Sequence, residues 1–167
     1  DKEKAIELLR KKGTIKAGKK ADRVANEGII ETYIHPGSRV GVLVEVNCET
    51  DFVARTDDFK LLAKELALHI AAANPLYVNI SDIPAEVVEK EKEIYKEQSA
   101  LAGKPEEIIN KILDGKIAKY FEEACLMEQS FIKNPEIKVK ELVSQAVAKM
   151  GENVVVKRFA RFVLGNS

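Results

Sequence analysis

Apolar side chains alternate with other residues along positions 39–47, the clearest periodic pattern in the first third of the chain. The apolar positions are Val40, Val42, Val44 and Val46. A period of two is typical of a strand that buries one face. Residues 27–35 precede this stretch across Pro36-Gly37-Ser38, whose proline and glycine supply the backbone angles of a turn. The two segments are therefore predicted to form a β-hairpin.

Apolar residues recur at helical spacing in much of the remaining chain. The predicted helices are a short amphipathic helix from Ala5 that Gly13 ends, a helix from Thr56 to Ala73, one that begins at Pro84 and runs to about Ala102, residues 105–113 ended by Gly115, residues 116–123, and residues 139–150 ended by Gly151. Residues 77–80 are predicted to be a short extended piece and residues 133–135 a loop. Residues 154–164 are rich in β-branched and aromatic side chains and are predicted to form a last strand.

These elements indicate an α+β fold. We expect an antiparallel sheet of about three strands, made from the hairpin and the terminal strand, with helices packed mainly on one face. The first helix has no capping residue or apolar run before it, so we expect its start to be truncated.

Composition narrows the class of protein. With 167 residues, 46% of them hydrophobic, the chain can bury one core, at most with a small appendage. Lysine and arginine together number 27, as do aspartate and glutamate, so nucleic-acid binding by bulk charge is disfavoured. No apolar run is long enough to cross a bilayer and no leader opens the chain, so we expect no membrane association and a location that is cytoplasmic or in the interior of an organelle. Cys48 and Cys125 are expected to be reduced thiols.

Phe52 is unusual because it lies in the connection between the hairpin and the next helix. Connections run over the surface and carry many functional side chains. The ring can fold back as a lid on the apolar face between strand and helix, or it can anchor a partner. The residues alone leave both possibilities open.

Thr56, Asp57 and Asp58 are expected to cap the helix that follows, because they adjoin its first apolar position.

Candidate sites for catalysis are few. Residues 13–20 nearly match a phosphate-binding loop, but Lys20 occupies the position of the hydroxyl, and a helix precedes the segment where the motif needs a strand. We therefore expect a helix end with a basic linker there, and no direct nucleotide binding. His35 and His69 are the only histidines, which excludes a histidine-rich metal site and leaves little for acid-base catalysis. We expect neither enzymatic activity nor a cofactor or metal.

A longer run of sequence around Phe52 points to a family. The segment Glu45-Val-Asn-Cys-Glu-Thr-Asp-Phe-Val-Ala-Arg55 resembles the signature of elongation factor Ts, the nucleotide-exchange factor for elongation factor Tu. Residues 35–45, 68–75 and 151–158 resemble the same family. The resemblance implies a protein that promotes GDP release from elongation factor Tu during translation elongation, by binding rather than by catalysis.

The resemblance also implies which residues bind the partner. Asp51 and Phe52 are expected to insert beside its nucleotide and magnesium site, flanked by Thr50 and Val53. His69, in a Leu-His-Ile-Ala-Ala segment, is expected to be a further contact. From the residues alone, Asp51 could instead bond backbone amides of its turn or cap a helix, and His69 could be a hydrogen-bonded residue at the boundary of the core.

Domains and assembly are further expectations from the resemblance. Residues 1–25 resemble the end of an N-terminal helical domain of the ubiquitin-associated type with a basic linker, and residues 26–167 resemble the core, or dimerisation, domain. Short members of the family pair as homodimers, so we expect a homodimer, formed through residues 154–164. The alternative function is a ribosome- or RNA-associated protein that uses the basic segment 11–23, although no aromatic side chains alternate with its charges.

Overall fold

The computed structural model describes residues 1–101 and 103–166 and confirms the predicted α+β class. Its elements are α1 (Lys2–Lys20), β1 (Glu27–Ile34), β2 (Val40–Cys48), α2 (Asp51–Ala54), α3 (Asp57–Ala73), α4 (Ala85–Leu101), α5 (Glu106–Ala124), β3 (Ser130–Phe131), β4 (Asn134–Lys138), α6 (Val139–Met150) and β5 (Val155–Val163). The predicted end of α4, at about Ala102, lies outside the described residues. Residues 75–129 form one compact unit, and the preceding and following segments form the other.

The larger unit is built on a three-stranded antiparallel sheet in the order β1-β2-β5, as predicted from the hairpin and the terminal strand. The central strand buries Val42, Val44 and Val46, so the alternating pattern did identify the inner face. Arg161 is the register partner of Val42 and donates to the backbone oxygen of Ala71, which shows that α3 covers this same face. The opposite face of the sheet is open to solvent at several apolar positions.

The first helix differs from the prediction. It continues through Gly13 to Lys20, and the side chain of Asp1 accepts a hydrogen bond from the backbone nitrogen of Glu3 at 3.1 Å, so the expectation of an uncapped helix that Gly13 ends is wrong. A Cβ atom placed on Gly13 would lie 3.8 Å from the Cβ of Ala148 in α6. The glycine is therefore a packing position between two helices. The basic segment that follows it is helical, where we expected a linker.

A small hairpin replaces the predicted loop at residues 133–135. Strands β3 and β4 pair antiparallel and turn at residues 132–133. The turn-forming Asn134 and Pro135 hid this element, because their composition indicates a loop. The hairpin is held in place by two buried apolar side chains, Phe131 and Ile137.

The smaller unit contains α4 and α5, and α5 is one continuous helix where two were predicted. Gly115 lies within it, at a position where an added Cβ would meet no neighbouring atom within 4 Å. The helix buries Ile109 and Ile117, eight residues apart on the same face. This burial outweighs the propensity cost of one glycine, about 1 kcal/mol. Among the described residues, no helix has the length and apolar character needed to cross a bilayer.

Candidate functional site

Phe52 projects from a short helix at the edge of the larger unit. The predicted connection forms the single helical turn α2, and the ring of Phe52 is 80% exposed. In the same turn Ala54 is buried and Val53 is half-buried, so the helix has an inner face that packs and an outer face that does not. The lid interpretation of Phe52 is therefore wrong. The exposed ring agrees with the other possibility left open by the sequence, an anchor for a partner.

Thr50 begins this helix. Its backbone is extended, with φ −125° and ψ 154°, and its hydroxyl accepts a hydrogen bond from the backbone nitrogen of Val53 at 3.3 Å. This is the usual role of an N-cap residue, which satisfies an amide that the helix itself leaves unpaired. The thiol of Cys48 also donates to the backbone oxygen of Thr50, at 3.1 Å. Thr50 is thus tied to the protein interior, and Asp51 is not the cap.

Asp51 lies beside Phe52 on the outer face. Its carboxylate accepts a hydrogen bond from the guanidinium of Arg55, one turn later, at 2.9 Å, and both side chains are exposed. The next helix has its own cap, since the hydroxyl of Thr56 accepts from the backbone nitrogen of Phe59 at 3.2 Å, as predicted. The outer surface of α2 therefore presents an aromatic ring beside a carboxylate and a guanidinium.

A carboxylate distant in sequence supports the start of α2. Glu152, in the turn between α6 and β5, accepts hydrogen bonds from the backbone nitrogens of Glu49 and Thr50 at 3.1 and 3.0 Å. Its second oxygen accepts from the hydroxyl of Thr50 at 2.6 Å. Sequence reasoning missed Glu152, although it lies in residues 151–158, which had been noted only for their resemblance. The signal available in the sequence was a carboxylate directly after Gly151, the residue predicted to end a helix.

The Cys48 thiol is part of the buried support under α2. It is fully buried, and burial raises the pKa of this thiol to about 11, with the negative charge of Glu152 as a second cause. The neutral thiol is therefore the form present near neutral pH. This protonation state agrees with its role as a donor to Thr50.

His69 lies in the core of the larger unit. It is 0% exposed, its Nδ1 accepts a hydrogen bond from the backbone nitrogen of Ile132 at 3.2 Å, and its ring packs 5.9 Å from that of Phe131, centroid to centroid. The structure thus separates His69 from the surface that carries Phe52. A direct partner contact requires an accessible side chain, and the histidine does not have one here. Hydrogen bonding within the protein was the alternative left open by the sequence.

The open face of the sheet is a second exposed surface. The register places Ile30 opposite Glu45, Leu43 opposite Ala160, and Gly41 opposite Phe162. Exposed apolar side chains on this face include Ile30 (64%), Leu43 (46%) and Phe162 (71%). Arg158 donates to the Glu45 carboxylate at 2.9 Å within the same surface, and hydrogen bonds from Asn47 and Arg158 lower the pKa of Glu45.

Among residues 1–101 and 103–166, no group of three or more His, Cys, Asp or Glu side chains could hold a metal ion. What the larger unit presents is an exposed phenyl ring on a supported helix. This arrangement is typical of binding proteins, in which a few aromatic anchors carry much of the interface energy.

Comparison with known proteins identifies the family. The family model described as Elongation factor TS matches residues 3–166. The chain is 58% identical to the Elongation factor Ts of Heliobacterium modesticaldum over 99% of this chain and 77% of that protein. It is 56% identical to the Elongation factor Ts of Carboxydothermus hydrogenoformans over 99% of this chain and 76% of that protein. It is 54% identical to the Elongation factor Ts of Herpetosiphon aurantiacus over 100% of this chain and 84% of that protein. The chain belongs to the elongation factor Ts family, so the resemblance found in the sequence is confirmed.

Proposed function

We propose that this protein is a nucleotide-exchange factor for elongation factor Tu and that Phe52 is its central contact. The observation that carries the proposal is an 80% exposed phenyl ring on a helix anchored from below. Exposure of such a ring to water does not stabilise the free protein, whereas its burial in a pocket of a partner would stabilise the complex. Family membership supplies the partner, and Asp51 supplies a charge beside the ring.

Exchange by binding requires no chemistry on the factor. A protein that binds the nucleotide-free partner more tightly than the loaded partner must weaken nucleotide affinity by the same factor. Insertion of Phe52 and Asp51 beside the nucleotide and magnesium site would provide this differential affinity. GTP then reverses the process by displacing the factor.

The remaining site residues have different roles in this proposal. Val53 is half-buried and borders the ring, so it is proposed as an edge contact. Thr50 is proposed to act mainly through its cap of α2. His69 would have to leave the core to touch the partner, and its bond to the backbone of Ile132 supports an indirect role in packing the β3–β4 hairpin against α3.

The experiment is stopped-flow release of a fluorescent GDP analogue from elongation factor Tu at increasing factor concentration. The wild-type chain should accelerate release, and Phe52→Ala should lower the maximal rate at least about thirtyfold, because an interface anchor contributes about 2 kcal/mol or more. Leu76→Ala is the matched control, since it removes an apolar side chain that is 61% exposed in the other unit. A normal maximal rate with Phe52→Ala would refute the proposed role of the ring.

We further propose that residues 26–167 act as a core domain that pairs with a second copy through the open face of the sheet. This surface is apolar at Ile30, Leu43 and Phe162 and carries the ion pair of Glu45 with Arg158. Such a face can complement its own copy across a two-fold axis. Phe162 lies in the terminal strand, where the homodimer contact was expected.

Sedimentation velocity tests this pairing. The wild-type chain should sediment as a dimer at micromolar concentration, and Phe162→Asp should sediment as a monomer, because a charge would be buried in the interface. Leu76→Asp is the control, since it adds a charge elsewhere. A monomeric wild-type chain would contradict the proposal.

The alternative of RNA binding through residues 11–23 has less support. Most of this segment lies on α1, where Lys11 pairs with Glu7 at 3.3 Å. The segment is basic, but a basic stretch without interleaved aromatic side chains is equally typical of a solvated surface.

A further inference from the structure

Two turns of the larger unit are bonded to each other in both directions. Glu152, in the turn between α6 and β5, accepts from the backbone nitrogens of Glu49 and Thr50. In return, the carboxylate of Glu49 accepts from the backbone nitrogen of Asn153 at 2.8 Å. Each turn thus contributes a carboxylate to the backbone of the other. Two such reciprocal contacts restrict rotation about either one.

We propose that Glu152 is a positioning residue for nucleotide exchange, whose carboxylate holds the start of α2 and thereby sets the direction in which Phe52 points. This inference rests on the proposed function of Phe52. Glu152 is half-buried beneath the helix and acts through Thr50, without contact with the partner.

The helix depends on this support because it is very short. A helix of four residues cannot stabilise itself, since nucleation fixes several residues for few hydrogen bonds. The backbone nitrogen of Ala54 donates to the backbone oxygen of Thr50 at 3.3 Å, and that of Arg55 donates to the oxygen of Asp51 at 3.2 Å. Charge-assisted hydrogen bonds are shorter and stronger than neutral ones. Those donated to Glu152 are therefore well suited to fix the entry of the chain into α2.

The bonded set extends to the segment after α1. The side-chain amide of Asn153 donates to the backbone oxygens of Ala21 at 3.3 Å and Arg23 at 2.8 Å. The guanidinium of Arg23 lies 3.6 Å from the Glu49 carboxylate. The turn before α2 is therefore held from two sides, by the turn after α6 and by the chain leaving α1. A helix supported in this way keeps its orientation before a partner arrives.

The first test measures positioning in the free protein, by hydrogen–deuterium exchange of the full chain. In Glu152→Ala, we expect the amides of Glu49, Thr50 and Val53 to exchange at least about tenfold faster, while amides in the middle of α3 keep their protection. Glu136→Ala, which removes an exposed carboxylate from β4, is the matched control and should change none of them. Unaltered protection at these three amides in Glu152→Ala would overturn the proposal.

A milder pair of variants covers the case in which Glu152→Ala does not fold. Thr50→Val removes the hydroxyl that donates to Glu152 and accepts from Val53, whereas Thr50→Ser keeps it. We expect faster exchange of the Val53 amide in Thr50→Val and restored protection in Thr50→Ser. Equal protection in the two variants would count against positioning by this hydroxyl and its carboxylate partner.

The second test separates positioning from contact in the GDP-release assay. Loss of preorganisation lowers the fraction of binding-competent molecules, so Glu152→Ala should raise the half-saturating factor concentration about tenfold and change the maximal rate less than about twofold. Phe52→Ala should instead lower the maximal rate. In a Phe52→Ala background, removal of Glu152 should raise the half-saturating concentration no more than about twofold, because the two residues act through one helix.

The outcomes distinguish the two proposals. If Phe52→Ala lowers the maximal rate and Glu152→Ala leaves both parameters unchanged, the proposed function stands and the positioning role is refuted. If Phe52→Ala has no effect, the proposed role of Phe52 fails and the role of Glu152 in exchange fails with it. If the wild-type chain itself does not accelerate GDP release, the proposed exchange function fails. A fall in the maximal rate with Glu152→Ala as large as that with Phe52→Ala would contradict positioning and indicate direct contact.

Discussion

Phe52 and His69 were expected to share one role, and the structure places them in opposite environments. The ring of Phe52 is 80% exposed on a helix of four residues, and the ring of His69 is 0% exposed on a helix of 17 residues. Phe52 has solvent on its outer side, whereas His69 packs against Phe131 and bonds to the backbone of Ile132. Two sequence segments of equally distinctive appearance therefore have different physical environments.

The comparison teaches that a segment typical of a family can be retained for function or for folding. An exposed aromatic adds little to the free energy of folding and can add much to binding. A buried, hydrogen-bonded ring does the opposite, because its loss leaves a cavity and an amide without its acceptor. Variants of the two residues should therefore separate stability from exchange activity.

The largest expected effect is on the stability of a His69 variant. His69→Ala should lower the free energy of unfolding by about 3 kcal/mol, because it removes a fully buried ring and the acceptor of the Ile132 amide. Phe52→Ala should change it by less than about 0.5 kcal/mol. Urea denaturation measures both, with the exposed His35→Ala as a control. Equal stabilities for the His69 and His35 variants would break the comparison.

The next effect concerns Cys48, the buried thiol beneath the exposed helix. Its pKa is raised to about 11 in the folded protein, so the unfolded chain loses this proton first as the pH rises. Stability from this group is therefore complete below about pH 9 and falls between pH 9 and 11, by at most about 2 to 3 kcal/mol.

Cys48→Ala isolates this contribution. The difference in the free energy of unfolding between wild type and Cys48→Ala should be constant up to about pH 8.5 and should shrink above pH 9. Urea denaturation at a series of pH values gives this difference directly. A difference that stays constant up to pH 11 would show that burial does not raise the pKa of the Cys48 thiol. The region beneath α2 would then be more accessible to solvent than it is in the structure.

The smallest expected effect is that of the ion pair on the surface of α2. Asp51 and Arg55 are both exposed, so a double-mutant cycle with Asp51→Ala and Arg55→Ala should give a coupling energy of about 0.3 kcal/mol. Added salt should reduce it further. A coupling above about 1 kcal/mol, measured by urea denaturation, would mean that α2 stabilises itself and would weaken the contrast with α3.

Much of the fold could be predicted from short-range patterns. The hairpin, the helix ended by Asn74, the helix ended by Gly151 and the terminal strand all match within a residue or two. Each has an unbroken apolar period and a distinct end signal, which are local properties. At the site, the cap at Thr56 followed from the same kind of reasoning, whereas the residues alone had left the exposure of Phe52 open.

The predictions that were wrong involve neighbours distant in the chain. Gly13 does not end its helix, because it packs beside Ala148, and Gly115 does not end its helix, because the burial of Ile109 and Ile117 continues across it. The β3–β4 hairpin resembles a loop in sequence and is ordered by the burial of Phe131 and Ile137. In each case tertiary packing outweighed a local propensity.

The sequence by itself determined the family, the periodic elements and the presence of an aromatic ring in a connection. The tertiary structure alone decided which distinctive residues face solvent and what holds them there. Glu152 reaches Thr50 across 102 positions, and Ile132 reaches His69 across 63. A periodic pattern reports only which side of one element is apolar, whereas burial and hydrogen bonding depend on what the rest of the chain brings to that side.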